Sequence, residues 1–145
     1  MEQNKDKQRR WLPVSGDMCD RLVIAQLKEL KIKNHREEYT KEIDDILHDL
    51  DMVLEEKPVK VTANLIRDII VLAIMNDEIW FNESNYRNGI TEGNNLGLTH
   101  GLNTTRCISR RRIQNQLDNE SRKQYKVDSV KCHPDWVPSG YEHEE

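Results

Sequence analysis

Three short motifs hold the residues of this chain that could do chemistry. The first is Gly16-Asp17-x-x-Asp20-Arg21-Leu22-x-Ile24, followed by Lys28. The second is Asn76-x-x-Ile79-Trp80-x-x-Glu83, followed by Arg87. The third is Asn103-x-x-Arg106-x-x-x-Arg110-x-x-Ile113. Steps of three and four residues put such side chains on one face of a helix. In the second motif's helix, Ile69, Leu72, Ala73, Asn76, Trp80, Glu83 and Arg87 share a face that starts apolar and ends polar. In the third, Asn103, Arg106, Arg110, Ile113 and Leu117 share a face that starts polar and ends apolar. If those two helices run antiparallel, their polar ends meet. The first motif joins the same end if its helix runs parallel to the third.

The spacing therefore predicts one polar cluster of Asp20, Arg21, Lys28, Asn76, Glu83, Arg87, Asn103, Arg106 and Arg110. Buried charges must be paired or solvated. Arginine outnumbers the acids in this cluster, so an anion could supply the missing negative charge. A guanidinium suits bidentate recognition of phosphate or carboxylate. The loop GITEGNNLGLTHG would let backbone N–H groups approach such a ligand, and the start of the following helix adds partial positive charge. His100, placed in that loop, and Glu83 are the candidates for moving a proton. Each group also has a plainer role. Glu83 and Arg87 form an ordinary i,i+4 surface pair, Arg106 to Arg112 a solvated basic face, and Trp80 a core residue.

The elements that must position these residues are helices. Ser15 or Asp17 caps a first helix reaching about Ile32, with Leu22, Val23, Ile24, Leu27 and Leu30 as its apolar side. A second runs from about Glu37 to Glu55. Tyr39, Ile43, Ile46, Leu47, Leu50, Val53 and Leu54 form the clearest amphipathic stripe in the chain, and Asp44, Asp45, Asp49 and Asp51 a solvated acidic face. Lys57-Pro58 ends it. Thr62 caps a third helix reaching about Asn88, stopped by Gly89. A fourth begins between Leu98 and Asn103 and ends near Glu120. This reads as an all-α fold, an antiparallel bundle of about four helices. Residues 1–14 are a polar lead-in, 15–122 the bundle and 123–145 an irregular tail whose Trp136 and Tyr141 could lie on the body.

Composition narrows the function classes. The chain has 145 residues, enough for one domain, and carries a net charge of −4, which argues against a general nucleic-acid coat. RCISRRRIQNQ with Lys123 and Lys126 leaves nucleic acid as a weaker alternative partner. Leu65 to Met75 is broken by Arg67 and Asp68 and is too short to span a bilayer, so no membrane association is expected. The three cysteines form no CxxC. With a charged N-terminus unlike a signal peptide, they point to a reducing, cytoplasmic setting. Cys132, His133, His143 and Cys107 match no compact zinc pattern, so no metal site is expected. Phosphate-loop, dinucleotide and nucleophile-elbow motifs do not occur, and no cofactor can be named.

The three motifs also resemble a family of small bacterial helical domains of unknown function, whose members are sometimes encoded near or fused to sugar-transfer proteins. Its pattern runs Gly-x-x-x-Asp-Lys-Leu, Asn-x-x-Leu-Trp-x-x-Glu and Asn-x-x-Arg-x-x-x-Lys. This chain departs at Arg21 and Arg110, where the family has lysine, so charge is kept and donor geometry changes. The likeness covers about Ser15 to Leu117 without the second helix. It implies a helical fold and a shared polar site, and brings no activity.

The leading expectation is a small soluble module that binds an anionic, phosphate-bearing molecule at one end of the bundle through Asp20, Arg21, Lys28, Asn76, Arg87, Asn103, Arg106 and Arg110. The alternatives are an enzyme acting on a nucleotide or sugar phosphate, with Glu83 and His100 catalytic, and a phage-type interaction protein docking a macromolecular host partner. A homo-oligomer stays open.

Overall fold

The computed structural model describes residues 14–56, 58–90, 96–118 and 131–142. These form four helices, α1 (Ser15–Lys31), α2 (Arg36–Glu56), α3 (Ala63–Arg87) and α4 (Leu96–Asp118), and a 3-10 turn at Pro134–Trp136. The chain is thus an all-α bundle of four helices with a short irregular C-terminal segment. The segment before Val14, Thr91 to Asn95 of the glycine-rich loop, Lys123, Lys126 and His143 lie outside the described residues. None of the described helices is long and apolar enough to cross a membrane.

Local chemistry explains most boundaries. The Thr62 hydroxyl accepts the Leu65 amide (3.1 Å) and caps α3. Gly89, at φ 82°, terminates it in the left-handed region that glycine occupies freely. The break between α1 and α2 turns on His35, a non-glycine residue at φ 65°. Two boundaries differ from expectation. At the start of α1 the N-cap position is Val14, without a side-chain cap. Ser15 is already helical, and its hydroxyl donates instead to Asp118 across the bundle (2.9 Å). α4 starts at Leu96, so His100 and Gly101 are helical rather than in a loop. Packing explains the glycine: a Cβ on Gly101 would lie 2.7 Å from the backbone nitrogen of His133. The residue is small to admit the C-terminal segment, not to bend the chain.

α1 contacts all three other helices, and α3 and α4 pack antiparallel, with Thr62 meeting Gln116, Asp68 meeting Arg112 and Asn82 meeting Thr99. α1 runs antiparallel to α4, not parallel to it. Ser15 meets Asp118, Asp17 meets Arg110 (3.4 Å) and Asp20 meets Arg106 (3.2 Å), so residue numbers rise on one helix as they fall on the other. α2 packs chiefly on α1. Its long apolar stripe is therefore only partly covered: Ile43 is buried, Tyr39, Ile46, Leu50, Val53 and Leu54 are half-buried, and Leu47 is exposed. Asp44, Asp45, Asp49 and Asp51 face solvent, as expected.

The core has two clusters. Leu65, Leu72, Ile113 and Leu117 fill one end, edged by Cys19, Val23, Leu54 and Val59. Val71, Met75, Leu102 and Ile108 fill the other together with Cys132 and Tyr141, so the C-terminal segment completes the core rather than merely lying on it. Tyr141 is fully buried.

Candidate functional site

Two polar networks cross this core. In the first, Asp68 is fully buried. Its Oδ1 accepts from Arg112 Nε (2.9 Å) and the Tyr141 hydroxyl (2.8 Å), and its Oδ2 from Gln116 Nε2 (2.8 Å). Tyr141 also shares a hydrogen bond with Ser109 (3.0 Å), and the Arg112 guanidinium lies 4.6 Å from the centre of its ring. Burial, aided by the Asp68 charge and opposed by the Ser109 contact, pushes the Tyr141 hydroxyl up to about 12. This network was not foreseen. Its signals were an isolated acid within an apolar run and the Ser109, Arg112, Gln116 spacing on one face of α4.

In the second, Asp20 of α1 is buried between α3 and α4. Asn76 Nδ2 donates to its Oδ1 (2.9 Å) and Arg106 Nη1 to its Oδ2 (3.2 Å). Asn76 Nδ2 also reaches the Leu72 carbonyl (3.1 Å). The neighbouring Cys19 thiol is pushed up to about 11 by burial and then by the Asp20 charge. Arg106 Nε is buried and has no hydrogen-bond partner among the described residues.

This second network backs a cleft of about 410 Å³ between α1, α3 and α4. Ile24 and Leu27 of α1 with Ile79 and Trp80 of α3 supply its apolar lining. Asn76, Glu83, Thr99, His100, Asn103 and Arg106 supply the polar lining. The Glu83 carboxylate, the His100 ring and the Asn103 amide make no hydrogen bond or ion pair among the described residues. Arg87 donates to the carbonyl of Glu83 (3.4 Å), not to its carboxylate.

Of the residues expected to cluster, Asn76, Glu83, His100, Asn103 and Arg106 line this cleft, and Asp20 stands behind it. The others go elsewhere. Arg110 pairs with Asp17 a turn further along α4. Arg21 lines a separate groove between α1 and α2. The Lys28 ammonium sits 5.8 Å from the centre of the Tyr39 ring of α2. Arg87 stays at the exposed end of α3. The reason is rotational. The face of α1 toward the cleft is Asp20, Ile24 and Leu27, about one residue round from the stripe holding Arg21 and Lys28. The expected excess of arginine thus does not arise: at the cleft Arg106 stands against Asp20 and Glu83. Nor is Arg106 to Arg112 a free basic face, since Arg106, Arg110 and Arg112 are each held by an aspartate.

Compared with known proteins, the chain matches no family model, no curated protein and no solved structure. The likeness of the three motifs to the helical-domain family rests on those residues alone.

Proposed function

We propose that the protein is a binding module for a small molecule carrying an anionic group of the phosphate class, held in the cleft between α1, α3 and α4. One observation carries this reading. Glu83 and His100 at the exposed rim, and Asn103 and Arg106 half-buried further in, line one cleft, where the side chains of the first three make no hydrogen bond or ion pair among the described residues and the buried Arg106 Nε has no acceptor among them. Buried polar groups are normally satisfied, and a buried guanidinium nitrogen without an acceptor suits an incoming anion. The first turns of α4 bring Thr99 and His100 to the same rim, where the helix end adds partial positive charge. The cleft falls within the usual size range of small-molecule sites and combines an apolar wall with a few polar groups, as such sites do.

A thermal-shift titration with inorganic phosphate and organic monophosphates tests this. A ligand at 100 times its Kd adds about 2.7 kcal/mol, a rise of several degrees for a domain this size. Asn103→Ala removes a cleft side chain with no hydrogen bond among the described residues, so it should weaken the shift given by organic monophosphates and leave the ligand-free midpoint nearly unchanged. No shift with any anion sinks the proposal.

A second reading, an enzyme, draws on Glu83 and His100 lining the same cleft from different helices. Glu83→Gln separates the two: a binding module keeps most of its affinity, whereas an enzyme loses its turnover.

A further inference from the structure

The cleft is much larger than one phosphate needs, and its charge inventory is poor. Of its two basic side chains, Arg106 is already paired with Asp20, and the other is His100. Glu83, at the exposed rim of the same space, has no ion-pair partner among the described residues. An anion with several charges would meet that carboxylate and find little to neutralise it. The rest of the volume is bounded by Trp80, Ile24, Leu27 and Ile79, which cannot satisfy a phosphate. A flat ring can stack on Trp80 and cover the apolar wall. The carboxylate of Glu83 only accepts hydrogen bonds and suits adjacent hydroxyls, as acidic residues do on ribose in dinucleotide folds. The Asn103 amide carries a donor and an acceptor side by side, the pattern that reads a base edge.

From this juxtaposition, which rests on the binding function proposed above, we infer that the ligand is a ribonucleoside monophosphate: a base against Trp80, ribose hydroxyls on Glu83, and a single phosphate toward Arg106 and His100. Nucleoside triphosphates are disfavoured at this site because it lacks the positive charge to hold them.

The test is calorimetric titration of the full chain with adenosine, inorganic phosphate, ribose 5-phosphate, the four ribonucleoside monophosphates and ATP, each without divalent metal. At least one monophosphate should bind roughly tenfold or more tighter than inorganic phosphate and ribose 5-phosphate, the order expected for one stacked base. It should also bind roughly tenfold tighter than ATP, and quench tryptophan fluorescence. Trp80→Leu should remove that quench and bring the monophosphate down to the affinity of ribose 5-phosphate. If phosphate, ribose 5-phosphate and every nucleotide bind alike, or if ATP binds as tightly as the monophosphates, the nucleotide assignment is overturned while anion binding stands. If nothing binds, both fall. Because the ligand series alone gives these outcomes, a Trp80→Leu protein that fails to fold would not leave the assignment undecided.

Discussion

Asp68 and Asp20 are both buried carboxylates facing α4, and each takes an arginine of that helix as partner. They differ in how completely their surroundings are used. Asp68 receives three donors, from Arg112, Tyr141 and Gln116, and Tyr141 is tied again to Ser109. The group is closed on itself and buried beneath the C-terminal segment. Asp20 receives two donors and backs a cleft lined by Asn103 and, at its exposed rim, Glu83 and His100, whose side chains make no hydrogen bond or ion pair among the described residues; the buried Arg106 Nε likewise has no acceptor among them. A saturated buried network specifies how a chain packs. A network that stops short at a cavity wall leaves interactions for something else to complete. On this ground Asp68 belongs to the fold and Asp20 to the candidate site, though both are acids beside arginines.

The largest expected effect tests the closed network. Asp68→Asn places an amide NH2 where a donor already points and removes the carboxylate charge that Arg112 meets at 2.9 Å. Breaking a buried pair in this way costs about 3–5 kcal/mol, or ~10 °C and more in Tm for a domain of this size. Thermal unfolding followed by circular dichroism measures it. A loss below ~1 kcal/mol would mean that Asp68 does not anchor the C-terminal segment.

The same substitution at Asp20 should cost less. The two arginines are about equally exposed (22% for Arg106, 21% for Arg112), but Asp68 is sealed and takes three donors, whereas Asp20 is 9% exposed and takes two. For Asp20→Asn we expect about 1–2 kcal/mol, together with faster alkylation of Cys19, whose thiol the Asp20 charge helps to keep protonated. Urea unfolding of the two variants side by side decides the matter, and equal losses would erase the distinction between the regions.

How much of this was legible in sequence follows the range of the interactions. The Thr62 cap, the Gly89 stop and the break before Pro58 are local, and each shows in one or two residue types. Asn76 and Glu83 on α3 and Asn103 and Arg106 on α4 could be brought together because two periodic faces and one loop settle an antiparallel pair. The direction of α1 against α4 could not be read. It is set by the packing of Gly16 against the Arg110 carbonyl and by three tertiary contacts, none visible in the α1 sequence. Nor could the rotation of α1 be read, which turns Ile24 and Leu27 to the cleft and leaves Arg21 and Lys28 toward α2. Tyr141 lies 73 residues from Asp68 in a segment with no periodicity, so nothing local announced that it would be the most deeply buried aromatic side chain among the described residues.

Gly101 offers a smaller test of the closed region. Alanine would gain about 1 kcal/mol in helix propensity. Its Cβ would also press on His133, at 2.7 Å from the backbone nitrogen and 2.8 Å from the side chain. Overpacking costs about 1–3 kcal/mol, so Gly101→Ala should be destabilising by roughly 1 kcal/mol. A limited proteolysis series would show the C-terminal segment released first. A stabilised protein would mean that this segment shifts without cost and contributes little to the core.

The smallest effect is the most diagnostic. Tyr141→Phe removes a hydroxyl that donates to Asp68 and bonds Ser109, leaving Arg112 and Gln116 on the carboxylate. At neutral pH the loss should be about 1 kcal/mol. The sign then changes with pH. Burial raises the Tyr141 hydroxyl from its ordinary value of 10 to about 12 in the folded chain. The folded state therefore holds a proton that the unfolded state gives up. That contribution to stability is fully present below pH 10 and is lost as pH climbs toward 12. Phenylalanine has no such proton. Urea unfolding at pH 8, 10 and 11 should show the wild-type advantage shrinking along this series. A constant gap between the two proteins would mean that Tyr141 ionises as easily folded as unfolded, and that the Asp68 network is not closed to solvent.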